Sequence, residues 1–137
     1  MRTFQQTQLV LGATFLLSLI IMAGVYVAMY ATGKIYVNDA QNLFVQTVVL
    51  YSVPLGMIIG GICGKGLRSK ETSPRNAFWA SLALALLWNA LLLWRVLAFA
   101  FADEDLVSSL VSDLTTTSIA SMFLVSGALA YFFTKQD

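Results

Sequence analysis

The chain has 137 residues, 58% of them hydrophobic and only 11% charged, with a formal net charge of +1 and a mean hydropathy of +0.78. A soluble domain carries about 25% charged residues, so an ordinary soluble globule, a disordered tail and a nucleic-acid-binding domain are excluded, and the near-zero charge gives no pull toward DNA or an acidic substrate. With no His and one Cys, a His-ligated haem, a multi-Cys zinc site, an internal disulfide and a Ser-His-Asp triad are excluded as well, and neither metal nor cofactor is expected.

Four apolar runs, at 9–31, 43–63, 77–101 and 116–134, hold about 23, 21, 25 and 19 residues, near the ~20 that cross a ~30 Å hydrocarbon core as helix. The first opens after Arg2 and is too long for the apolar stretch of a cleaved signal peptide, so it reads as a retained anchor. The connections leave no room for a separate soluble domain. The expected fold is one all-α integral membrane domain over 1–137, with four transmembrane helices in a compact bundle and short loops.

The basic residues sort by side. A cytoplasmic 64–76 loop places Arg2, Lys65, Arg68, Lys70, Arg75 and Lys135 inside, against Lys34 outside, a strong positive-inside pattern. The expectation is N-in/C-in, with both termini cytoplasmic, in the cytoplasmic (inner) membrane of a bacterium. Trp79 toward the inner interface, and Tyr30, Tyr36 and Trp94 toward the outer one, match aromatic belts. No N-glycosylation sequon occurs.

In the second run, Ser52, Gly56, Gly60 and Gly64 recur every four residues. They form a small-residue zipper that lets another helix backbone approach, either a span of the same chain or a neighbouring subunit. Pro54 should kink this run near Leu50, whose carbonyl loses its partner. The run ends in Gly60, Gly61, Cys63, Gly64 and Lys65, a superficial phosphate loop. It fails, because Ile59 stands where a Walker-type loop needs Gly and Gly66 where it needs Ser or Thr. Cys63 reads as a small buried residue, with acylation as the sharper alternative. The basic loop residues Lys65, Arg68, Lys70 and Arg75 follow from topology and offer a dock for anionic lipid or an acidic cytoplasmic partner.

Ser73 and Pro74 mark the start of the third helix. Asn89 falls near mid-bilayer behind Ala77, Ser81 and Ala85 at four-residue steps. An amide there must face protein or water, through an interhelical hydrogen bond or on a permeation path. Arg95 is the single formal charge inside these runs. It reads as a snorkelling side chain or as a charged gate, with Gln46 and Thr47 near enough in depth to share hydrogen bonds with it.

The connection at 103–114 holds Asp103, Glu104, Asp105 and Asp113, an outer acidic lip, and its apolar residues repeat with helical period. A short amphipathic helix before the fourth span, or an extended first turn of that span, is expected.

No acid lies inside a run and paired cysteines are absent, so proton exchange of the small multidrug transporter type and disulfide generation both lose their central groups. The chain is read as non-enzymatic. Its partners are the lipid bilayer, further copies of itself and other membrane or cytoplasmic subunits, and not nucleic acid. The favoured function is a self-associating or complex-anchoring membrane subunit. The alternative is a homo-oligomeric channel or pore with Asn89 and Arg95 on the path.

Overall fold

The computed structural model describes residues 4–65, 75–102 and 106–133, with side chains over 6–61, 75–102 and 106–130. They form four helices, α1 (Phe4–Ala31), α2 (Val37–Lys65), α3 (Arg75–Phe101) and α4 (Val107–Phe133). Among the described residues there is no strand. Each helix is long and apolar enough to cross a membrane.

The packing follows from residues spaced by three and four, the period that keeps one narrow seam of a helix against its neighbours. On α1 the seam is Leu11, Phe15, Ser18, Met22, Tyr26 and Met29; on α3 it is Phe78, Ser81, Ala85, Trp88, Leu92, Val96 and Phe99. Only 28 to 33% of each spanning window is buried. What remains outside is large and apolar, including Leu17, Ile59, Ile119 and Phe123 at 59 to 71% exposure. A surface of that kind is not sustained in water. It is the lipid-facing skin of an integral membrane bundle, and the exposed Trp79 at one end of α3, with Trp94, Tyr30 and Tyr36 toward the other end of the bundle, sits as interfacial belts would.

The helices are arranged as two hairpins. The α1–α2 and α3–α4 pairs are antiparallel neighbours, α1 lies beside α3 and α2 beside α4, and the consecutive helices α2 and α3 face each other across the diagonal. A five-residue turn joins α1 to α2, whereas the nine residues 66–74 separate α2 from α3, a length of chain that reaches up to ~30 Å when extended.

Local chemistry fixes the helix ends. At the end of α1, Gly33 has φ of 73°, its N–H bonds the Tyr30 carbonyl at 3.0 Å, and the Lys34 N–H bonds the Met29 carbonyl at 2.9 Å. This is a Schellman cap, in which glycine takes the left-handed position at no steric cost. The Asp39 carboxylate accepts the Tyr36 N–H at 3.3 Å, one half of a capping box that starts α2 six residues before the apolar run at 43. The Lys34 ammonium reaches across to the Ala102 carbonyl at the end of α3 and lies 5.4 Å from the Phe99 ring centre. Lys34, in the α1–α2 turn, is therefore engaged with the negative end of a helix.

Of the two readings of 103–114, the described residues fit the extended start of the fourth span: α4 runs unbroken from Val107, with Leu110 and Leu114 in the core. Pro54 lies inside α2 and is buried. Ser73, Pro74 and the residues Arg68, Lys70, Asp103, Glu104 and Asp105 lie outside the described residues, as do the side chains of Cys63 and Lys65.

Candidate functional site

The middle of the bundle combines aromatic packing with hydrogen bonds. Phe15, Tyr51 and Trp88, from three different helices, pack with ring centres 5.1 to 6.4 Å apart in tilted and edge-on geometry. Through this layer runs a directed chain of hydrogen bonds. The Ser18 hydroxyl lies 2.9 Å from that of Tyr51, which donates to Asn89 Oδ1 at 2.7 Å. Because the single Tyr51 proton is used there, Ser18 donates to Tyr51. The Asn89 amide then closes on its own helix, Nδ2 donating to the Ala85 carbonyl at 2.7 Å. A second interhelical bond lies nearer the α1–α2 turn, where Tyr26 and Thr47 hydroxyls meet at 2.6 Å and Thr47 donates onward to the Leu43 carbonyl at 2.8 Å. Trp88 Nε1 is buried without a partner.

Asn89, Ser81 and Ala85 all face inward. The stripe behind Asn89 is thus a packing face within the chain, and the amide is occupied by Tyr51 from the diagonal helix. Tyr51 and Ser18 were not among the residues singled out from sequence, because hydroxyls are unremarkable in an apolar run until a partner 33 or 38 positions away is known.

The second-run zipper behaves oppositely. Ser52, Gly56 and Gly60 are exposed, and a Cβ added at Gly56 or Gly60 would meet nothing within 4 Å. At 100° per residue they lie about 180° around α2 from the seam of Leu43, Thr47, Tyr51 and Ile58. They do not pack against another helix of this chain. Gly64 belongs to the same helix, with its surroundings outside the described set. A glycine that does admit a neighbour is Gly12 on α1, where an added Cβ would stand 3.1 Å from the Ile58 side chain.

Arg95 does not meet Gln46 or Thr47 by hydrogen bond. Thr47 is tied to Tyr26 and Leu43, while Arg95 Nη1 lies 4.0 Å from Asp113 Oδ2 on the outside of α3 and α4, with side chains 51 and 58% exposed. Asn89 faces in and Arg95 faces out, so the two do not line one path through a single bundle. Gln46 is half-buried and Arg75 is exposed. An open, apolar groove of about 280 Å³ follows the α1–α2 seam between Tyr26, Tyr30, Val37, Gln41 and Phe44. Among the described residues, no three metal-ligating side chains gather.

No family model, characterised protein or solved structure matches the chain.

Proposed function

We propose that this protein is a small non-catalytic membrane subunit that self-associates, or anchors a larger complex, through the outward face of α2. One observation carries the reading: Ser52, Gly56 and Gly60 point directly away from their own core, flanked by Val45, Val49 and Val53, each 56% exposed. Small residues let a second backbone approach closely in lipid, where dispersion contact and weak hydrogen bonds replace the hydrophobic drive. The valines are already restricted at χ1, so packing them costs little side-chain freedom. The basic connection with Lys65, Arg68, Lys70 and Arg75 faces the cytoplasm in this reading, with both termini, in the inner membrane of a bacterium. There it meets anionic headgroups or an acidic partner surface.

The test is cross-linking in native membranes. With Cys63 replaced by Ala, a Ser52→Cys or Gly56→Cys variant is expected to give a disulfide-linked dimer on oxidation, and adding Gly60→Leu is expected to abolish it. A chain that stays monomeric under every condition overturns self-association, and co-purification of a stable second subunit would then support the anchoring form. Liposomes holding only this chain are expected to show no ion flux, and sustained flux would favour a pore between copies.

A further inference from the structure

We propose that Arg95 and Asp113 together hold the zwitterionic headgroup of a membrane phospholipid, the phosphate at the guanidinium and the ammonium at the carboxylate. Both side chains are about half exposed and project from the α3–α4 seam, not into the bundle. Their contact is a single nitrogen-to-oxygen approach of 4.0 Å, so the guanidinium is not locked in a two-pronged pairing and its fork stays open toward the membrane. An exposed pair of this kind adds little to the stability of the fold. Charges this close to hydrocarbon nevertheless need partners for their hydrogen-bonding capacity, and a single long ion pair does not supply them.

Depth and shape agree with a headgroup. Arg95 is six residues from the end of α3 and Asp113 six from the start of α4, about 9 Å from each helix end. For a ~40 Å helix centred on a ~30 Å hydrocarbon core, that lies only about 4 Å beneath the boundary. Trp94, beside Arg95, is 68% exposed and has the amphipathic ring that settles at headgroup level. Toward the midplane the same faces carry no charge: Leu91 lies one turn below Arg95 on α3, Thr116 one turn and Ala120 two turns below Asp113 on α4, and all three are exposed. They leave an uncharged wall for the acyl chains.

The juxtaposed charges also make the site selective. A zwitterionic headgroup answers both at once, whereas an anionic headgroup gains Arg95 but faces Asp113. Asp113 is therefore the discriminating residue and Arg95 the anchoring one.

The experiment places the full chain in nanodiscs of equimolar phosphatidylethanolamine and phosphatidylglycerol and measures the lipids retained after mild delipidation by native mass spectrometry. The wild type is expected to retain phosphatidylethanolamine by about fivefold over phosphatidylglycerol, which corresponds to ~1 kcal/mol. Arg95→Leu is expected to lose the retained lipid, and Asp113→Asn to bring the ratio to one or below, each with unchanged helicity by circular dichroism. A wild-type ratio of one overturns the proposal without any variant. So does an Asp113→Asn protein that keeps the preference, or a pair of variants that alter the oligomer mass and leave the lipid ratio alone, which would assign the charges to a contact between copies.

Discussion

The Tyr51 hydroxyl accepts a hydrogen bond from Ser18 and donates one to Asn89 Oδ1, so one hydroxyl joins α1, α2 and α3. Interhelical hydrogen bonds in membranes are worth about 0.6–2 kcal/mol. Tyr51→Phe removes both partners' bonds while keeping the ring, and is expected to lower stability by ~1–2 kcal/mol in bicelle or detergent unfolding. Combined with Asn89→Leu it should be less than additive, because the Tyr51–Asn89 bond that the two residues share can be lost only once; strict additivity would remove the network from the account. Gly12→Leu is expected to destabilise by ~1–3 kcal/mol through overpacking against Ile58, read as a lower midpoint in the same unfolding assay. At this scale Asn89 was legible in the sequence, since an amide amid aliphatics has to find a partner. Gly12 was not, because an isolated glycine carries no periodic signal and its closeness to Ile58 comes from tertiary packing alone.

Among the elements, α4 departs most from its sequence pattern. Averaged hydropathy before the run at 116 is pulled down by residues such as Ser109 and Thr115, yet each returns its hydroxyl to a carbonyl three or four residues back, at 2.6 to 2.8 Å. The helix therefore continues through residues that read as a break. The start of α2 was missed for a related reason, since its signal is the Asp39 cap and not hydrophobicity. The zipper on α2 was fully visible as a repeat, but a repeat does not say which way a helix is turned. That direction is set by Leu43, Tyr51 and Ile58 claiming the core. At the end of α3, Lys34→Met removes the ammonium from the Ala102 carbonyl and the Phe99 ring. The expected result is faster amide exchange in the last turn of α3, by about fivefold for ~1 kcal/mol of lost capping and cation–π interaction, with the first turns of α3 unchanged. Exchange that is equally fast along the whole helix would mean that Lys34 supports the bundle globally.

For the whole molecule, four spanning helices were countable from composition and run length, and the lateral arrangement was not. Short connections favour antiparallel neighbours, which suits the two hairpins but not α2 and α3, placed on the diagonal. Their separation rests on which seams complement each other, a property of side-chain shape that no spacing displays. Orientation remains a statement about charge. A periplasm-dependent reporter fused after Asp137 is expected to be inactive, and the same reporter inserted into the α1–α2 turn at 32–36 active. The opposite pattern would invert the proposed topology. Lys34, the cation of that turn, is held by the end of α3, where the helix terminus offsets its charge.

The diagonal arrangement has a consequence for biogenesis. The first hairpin leaves the ribosome with Ser18 and Tyr51 able to satisfy each other, and with Tyr26 and Thr47 doing the same, so it can dwell in lipid as a unit. The second hairpin brings Asn89, whose amide oxygen has no interhelical partner until Tyr51 is reached across the interior. That bond ties one hairpin to the other, and its length fixes their vertical register.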